Sequence, residues 1–178
     1  MIDQGVALAR AKRAYELGRA RHAATLALPV GALSVAAACL GSRPQTSALV
    51  GLALLAVTWL LLWRGQTLGR SVFPGVVAGL VPLVLALGAR SYGHVCTGSE
   101  CVSLCIPACT IGGAVAGFVI ARAGRNATSR PLFIVGAGTL AVLVGSLGCS
   151  CVGYGGVAGL NVGLIAMLLP TLALRVRA

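Results

Sequence analysis

Acidic residues are nearly absent from this chain of 178 residues: Asp3, Glu16 and Glu100 are its only carboxylate side chains. Charged residues make up 10% of the sequence, against about 25% in soluble domains, and aromatic residues 4%. The chain has no phosphate-binding glycine loop, no Ser-His-Asp set and no carboxylate pair. With a 58% apolar composition, these absences exclude a soluble catalytic domain, a disordered tail protein and a collagen-like rod. We expect the protein not to be an enzyme.

What the sequence does contain is long apolar runs. A mean hydropathy of +0.96 is typical of a membrane protein. A helix that crosses about 30 Å of hydrocarbon needs about 20 apolar residues at 1.5 Å per residue. Six runs approach this length, at about 23–40, 47–63, 71–89, 105–121, 131–148 and 155–174. The predicted fold is therefore an all-α polytopic membrane protein, a six-helix transmembrane bundle.

The basic residues fall on one side of these predicted spans. Arg43 and Arg90 lie on one side, and the other twelve lie on the opposite side: Arg10, Lys12, Arg13, Arg19, Arg21, Arg64, Arg70, Arg122, Arg125, Arg130, Arg175 and Arg177. The positive-inside rule then predicts cytoplasmic N- and C-termini (N-in/C-in) in a bacterial inner membrane. Since insertion explains the basic charge, we expect no nucleic-acid partner. Residues 1–22 form a basic cytoplasmic segment, 23–174 the transmembrane domain and 175–178 a cytoplasmic tail.

Small residues recur at helix-contact spacing within the spans. Glycines occur four residues apart, as Gly75 and Gly79, Gly113 and Gly117, and Gly155, Gly159 and Gly163. In lipid, such small-xxx-small faces let two helix backbones approach closely. They predict tight packing within the chain or, alternatively, a homodimer face.

The seven cysteines also fall on one side of the predicted membrane. Cys39 ends the first span, and the others lie in the third loop, the start of the fourth span and the fifth loop: Cys96, Cys101, Cys105, Cys109, Cys149 and Cys151. N-in orientation places them all on the periplasmic side, which is oxidising.

Three interpretations of these cysteines stay open. In the first, they form structural disulfides that link the third loop, the fourth span and the fifth loop, although six cysteines allow fifteen pairings. In the second, they act as a thiol switch whose oxidation changes charge and connectivity. In the third, they bind a thiophilic metal ion through Cys101, Cys105 and Cys109, which recur every fourth residue, with His94 and Cys96 nearby.

The N-terminal segment predicts a weakly amphipathic helix. Its basic side chains are spread around the helix: Arg10, Lys12, Arg13, Arg19 and Arg21. The helix either lies on anionic lipid or docks an acidic cytoplasmic protein.

This architecture resembles six-span bacterial membrane anti-sigma factors, which have a short cytoplasmic N-terminal segment and outward cysteines before the fourth span and after the fifth. The matching positions are Cys101 or Cys105 and Cys149 or Cys151. The resemblance implies that oxidation or metal attack at the outer thiols releases a sigma factor bound by the N-terminal segment.

The sequence therefore predicts a membrane sensor or regulator whose periplasmic cysteines respond to redox state or a thiophilic metal and signal to a cytoplasmic partner. Two alternatives remain: a small metal transporter or channel-like protein, and a structural subunit of a larger membrane complex. No Asp, Glu, Lys or Arg lies inside a predicted span, which argues against a proton-coupled carrier.

Overall fold

A computed structural model describes residues 4–40, 44–92, 94–97, 100–149 and 154–173. Within these ranges the chain forms six helices and a short hairpin: α1 (Gln4–Leu40), α2 (Pro44–Arg64), α3 (Gln66–Tyr92), β1 (His94–Thr97), β2 (Glu100–Ser103), α4 (Cys105–Ala123), α5 (Arg130–Cys149) and α6 (Tyr154–Ala173). A short 3-10 turn, Gly124–Asn126, follows α4. The prediction of a helical fold is confirmed, and the hairpin between α3 and α4 is a feature that it missed.

Among the described residues, four helices are long and apolar enough to cross a membrane: Gln45–Arg64, Thr67–Ala89, Cys105–Asn126 and Arg130–Gly148. A shorter apolar helix covers Tyr154–Pro170. At about 1.5 Å per residue, its 17 residues extend over roughly 25 Å, slightly less than a typical hydrocarbon core. The prediction of a membrane protein is confirmed, whereas six crossings and their orientation stay predictions.

Helix α1 continues from the predicted N-terminal segment into the first predicted span. Its 37 residues form one uninterrupted helix, so the predicted boundary after residue 22 is not a break in the backbone. The charge pattern changes there, but the local residues Ala20, Ala23 and Ala24 favour helix on both sides. At about 1.5 Å per residue the helix is roughly 55 Å long, longer than a hydrocarbon core.

The first two helices run antiparallel. Trp59 Nε1 near the end of α2 donates to the Ala20 carbonyl oxygen of α1 at 3.3 Å, whereas Gly51 near the start of α2 contacts Ser34. The turn from α2 to α3 takes place at Gly65, whose φ of +64° is rarely adopted by other residues. Its N–H donates to the Leu61 carbonyl oxygen at 3.1 Å and closes the end of α2.

The other four helices pack as two parallel pairs. Along α3 and α5, Gly75 contacts Ala137 and Gly79 contacts Val144, so contacting positions advance together. Helices α4 and α6 behave in the same way: Gly113 contacts Leu160, and Gly117 contacts Met167 in the next turn. In each pair, glycine lets the backbones approach closely.

Pro82 lies where three helices meet. This residue of α3 is fully buried and contacts Gly112 of α4 and Gly145 of α5. A proline inside a helix removes one backbone hydrogen bond and adds a ring, so its neighbours must leave room for it. The two glycines provide that room, and Leu160 of α6 packs against Gly145 from another side.

Candidate functional site: the cysteine-bearing end of the bundle

The helix directions bring most of the cysteines to one end of the bundle. Helices α1, α3 and α5 finish at this end, and α2, α4 and α6 begin there, because consecutive helices alternate in direction. We call it the cysteine-bearing end; its described positions are Cys39, Cys96, Cys101, Cys105, Cys109 and Cys149. Cys151 lies outside the described residues, as does the predicted tail 175–178.

The hairpin places two of these cysteines at one register position. Strands β1 and β2 pair antiparallel, and Cys96 stands directly opposite Cys101. Cα atoms at opposite positions of an antiparallel pair are about 4.5–5.5 Å apart, within the range that a disulfide spans. His94 pairs with Ser103 at the other end of the hairpin. The structure describes only the backbone of this hairpin.

The three cysteines that recur every fourth residue, Cys101, Cys105 and Cys109, do not share one helix. Cys101 belongs to β2, Leu104 forms a turn, and α4 begins only at Cys105. Pro107 lies in the first turn of α4, where its missing N–H leaves no helical bond unmade. Cys105 and Cys109 therefore share a helix, but Cys101 does not. Among the side chains that the structure describes, which exclude those of the hairpin, no group of three or more His, Cys, Asp or Glu could hold a metal ion.

Cys105 and Cys109 differ sharply although they are one helical turn apart. Cys109 is fully buried among Ala86 of α3 and Val157 and Leu160 of α6, and it is disulfide-bonded. Cys105 is half-buried and carries a free thiol. Cys39, at the end of α1, is exposed and also free. This end therefore holds both an oxidised sulfur inside the packing and reduced sulfurs nearer the surface.

The end of α5 packs against the same α3 residue as Cys109 does. Gly148 lies close to Leu83 and Ala86 of α3: an added Cβ would come within 3.1 Å of the Leu83 backbone and 3.3 Å of the Ala86 Cβ. Ala86 also belongs to the cluster that surrounds Cys109. Cys149 follows Gly148 directly, so the last turn of α5 and the first turns of α4 share a neighbour in α3.

The glycine faces lie between helices of the same chain. Gly75 and Gly79 face α5, Gly113 and Gly117 face α6, and Gly159 and Gly163 face α4. The tightest contact is at Gly163, where a Cβ would meet the Thr110 carbonyl oxygen at 2.1 Å. Gly155 is looser, with Ile106 Cδ1 at 3.8 Å from its Cβ position. These contacts are those of intramolecular packing.

At the opposite end, the basic N-terminal part of α1 is solvent-exposed. All five side chains singled out in the sequence are exposed: Arg10, Lys12, Arg13, Arg19 and Arg21. Arg19 differs from the others in its contacts, because its guanidinium donates to the Trp63 carbonyl oxygen and lies 5.9 Å from the Tyr15 ring centroid. It therefore links α1 to the C-terminal carbonyls of α2, a contact that charge pattern alone does not indicate.

Two buried hydroxyl groups were not singled out in the sequence. Ser47 and Thr58 of α2 are 1% and 0% exposed, and their hydroxyl oxygens have no hydrogen-bond partner. Several serines and threonines in other described helices donate to a carbonyl one turn earlier, as Ser34 does to Val30 at 2.9 Å. The pattern of apolar residues in α2 does not distinguish these two hydroxyl groups from those that have a hydrogen-bond partner.

Comparisons of the chain with protein-family models, curated proteins and solved structures give no match.

Proposed function

We propose that this protein is a multi-pass protein of the bacterial inner membrane whose cysteine-bearing end faces the periplasm. Its six helices then cross the bilayer, with both termini in the cytoplasm. The basic residues support this orientation, since Arg64, Arg70, Arg122 and Arg125 all lie at the end opposite the cysteines. Short loops with many arginines stay in the cytoplasm.

At the periplasmic end, we propose a sensor of redox state. The observation that carries this proposal is the contrast between the free, half-buried Cys105 and the buried, disulfide-bonded Cys109 one turn away. Thiols near the surface react with oxidants, whereas buried ones are protected. One end of the bundle thus combines a reactive group with a cross-link whose state depends on the surrounding redox potential.

The backbone arrangement supports a specific disulfide pattern. Cys96 with Cys101 is the first expected pair, because they stand opposite each other in the hairpin. Cys109 is expected to bond Cys149 or Cys151, since α3 residue Ala86 adjoins both Cys109 and Gly148. Such bridges would link the two strands of the hairpin and the ends of α4 and α5. Each would add about 2–4 kcal/mol to the free energy of unfolding.

The expected output is a change in binding of a cytoplasmic regulatory protein, such as a sigma factor, at residues 4–22 of α1. The basic, exposed side chains of this segment support an acidic partner surface. Helix α1 also carries the free Cys39 at its other end and continues without a break between the two. This arrangement supports coupling through one helix, in the manner that the resemblance to membrane anti-sigma factors implies.

The first experiment counts thiols from each side of the membrane. Intact cells are treated with a membrane-impermeant maleimide, before and after mild reduction, and the intact protein is weighed by mass spectrometry. We expect Cys105 to be labelled without reductant and Cys109 only after reduction. The variants C105S and C109S assign the two mass increments. Labelling only after cell lysis would contradict the orientation.

The second experiment tests sensing itself. Membranes are exposed to hydrogen peroxide or diamide, and free thiols and copurifying cytoplasmic proteins are measured in parallel. Oxidation should lower the number of free thiols and change the amount of bound partner, and C105S should reduce both responses. A partner that binds equally with and without oxidant, while the thiols are consumed, would contradict the sensing proposal but leave the membrane topology standing.

A further inference from the structure

A polar cavity lies at the basic end of the bundle, between the start of α3 and the connection from α4 to α5. Its volume is about 250 Å³. Its polar side chains come from two segments: Thr67 and Arg70 from α3, and Asn126 and Thr128 from the α4–α5 connection. Pro74 and Phe133 form apolar parts of its wall. The cavity thus offers hydrogen-bond donors beside an apolar surface.

Within the part of the chain that the structure describes, no acidic side chain pairs with Arg70. Between residues 44 and 173 the sequence has one acidic side chain, Glu100, and it belongs to the hairpin at the cysteine-bearing end. The described residues form no ion pair with Arg70 and accept no hydrogen bond from it. A guanidinium with five N–H donors at a membrane boundary requires an external anion or water.

A second donor at the same end also lacks a partner. Arg130, the first residue of α5, has its Nε atom buried without a hydrogen-bond acceptor. It follows Thr128 of the cavity by two residues. Arg122 and Arg125, at the end of α4 and in the turn that follows, add further positive charge. The α4–α5 connection therefore gathers basic groups with no acidic residue beside them in the sequence.

The position of the cavity near the end of an apolar span indicates which class of ligand it binds. The apolar span of α3 begins at Thr67, so Arg70 lies one turn inside its end. A long basic side chain near the end of a membrane span extends to the lipid headgroups. Basic pockets between membrane helices bind the headgroups of anionic lipids, and arginine matches phosphate geometry well. The volume is below the range of about 300–1,000 Å³ for drug-sized ligands, which suits a single phosphate group.

We propose that this cavity binds the phosphate of an anionic phospholipid. Arg70 contacts the phosphate oxygens, Thr67, Asn126 and Thr128 donate hydrogen bonds from the cavity wall, and the acyl chains pass along Pro74 and Phe133. The site is independent of the cysteines and of the sensing proposal. It holds whichever leaflet this end of the bundle faces.

The test is native mass spectrometry of the full-length protein in detergent, titrated with phosphatidylglycerol. Diacylglycerol with the same acyl chains is the phosphate-free comparison. We expect R70Q to weaken phosphatidylglycerol binding about tenfold or more, since it removes a charged hydrogen-bond donor. T128V removes a neutral donor from the facing wall and should weaken binding about fivefold.

The matched control is R64Q. Arg64 is an exposed arginine at the same end, but it does not line the cavity. Its replacement should change binding by no more than about twofold. Melting temperatures within experimental error of the parent protein establish that R70Q and R64Q fold. A photoactivatable phosphatidylglycerol should also label the segment 123–133, a readout that needs no variant.

Two results would overturn the proposal. If R70Q and R64Q lose equal affinity for phosphatidylglycerol, the lipid binds to the basic surface as a whole and not to the cavity. If diacylglycerol binds as tightly as phosphatidylglycerol, the protein does not recognise the phosphate. Inorganic phosphate distinguishes the sources of the ligand. Retention of phosphatidylglycerol in about a hundredfold excess of free phosphate supports the lipid, whereas displacement by it overturns the assignment to lipid and gives the site to the free anion.

Discussion

Replacing Gly163 with alanine is the sharpest test of the packing between α4 and α6. The new Cβ would lie 2.1 Å from the Thr110 carbonyl oxygen and 2.9 Å from the Ala114 backbone nitrogen. Ordinary contacts begin at 3.4 Å, so the helices must separate locally by about 1.3 Å. Both obstructing atoms belong to the backbone of α4, so no side-chain rotation relieves the contact.

The size of the effect follows from two opposing terms. Alanine stabilises a helix by about 1 kcal/mol relative to glycine, whereas overpacking a well-packed interface costs about 1–3 kcal/mol and occasionally more. G138A is the matched control, since its Cβ meets only Leu164 Cδ2 at 3.9 Å. The difference between the two variants therefore reports the packing cost alone. We expect about 3 kcal/mol, or a melting temperature roughly 6–12 °C lower for G163A.

The assay is thermal unfolding of both variants in the same detergent, followed by circular dichroism. The double variant G113A/G163A adds a second readout. Gly113 faces Leu160 of the same interface, with its Cβ position 2.2 Å from that carbonyl oxygen. Once one alanine has separated the helices, the second meets less obstruction, so the two losses should be less than additive. If G163A melts at the same temperature as G138A, the close contact between α4 and α6 is wrong.

Two further predictions concern polar groups of α1 and α2. T58V should leave the free energy of unfolding unchanged or raise it by up to about 1 kcal/mol, because the buried Thr58 hydroxyl has no partner. T139V, which removes a hydroxyl that donates to the Val135 carbonyl oxygen at 2.8 Å, serves as control; a larger loss in T58V would contradict this account. R19Q should increase deuterium uptake across residues 4–19, since it removes the donor to the Trp63 carbonyl oxygen. R21Q is the control at an exposed neighbour, and equal uptake in both variants would show that Arg19 does not hold this segment.

The positions of the helices were predictable because the signal is physical and local. Charges and turn residues bound each apolar run, so the predicted 105–121 and 131–148 correspond to Cys105–Ala123 and Arg130–Cys149. The N-terminal segment was predicted to be a helix, and α1 joins it to the first apolar run without a break, because the charge pattern changes near residue 22 while helix propensity does not. The hairpin was missed because two strands of four residues are too short for a clear alternation signal.

The candidate site was predictable in position but not in chemistry. Topology alone placed the cysteines together at one end. The difference between Cys105 and Cys109 could not be predicted, because four-residue spacing puts both on one helix face. Burial separates them: Cys109 lies one turn deeper, where α3 and α6 close over it. The partner helix of each glycine face could not be predicted either, because the spacing of glycines identifies a contact surface but not the helix that packs against it.

The unequal packing of the bundle bears on how a signal would cross it. Helices α3 to α6 approach through glycines whose neighbours are backbone atoms, so sliding or separating them meets steric resistance at several points. The α1–α2 pair joins this core through side chains, with Leu54 and Val30 packed beside Leu140 and Val144 of α5. Side-chain contacts of this kind can be exchanged in a small rigid-body shift more easily than backbone contacts. If oxidation at the cysteine-bearing end moves an element, α1–α2 is the element with the least resistance, and α1 carries the exposed basic segment at its other end.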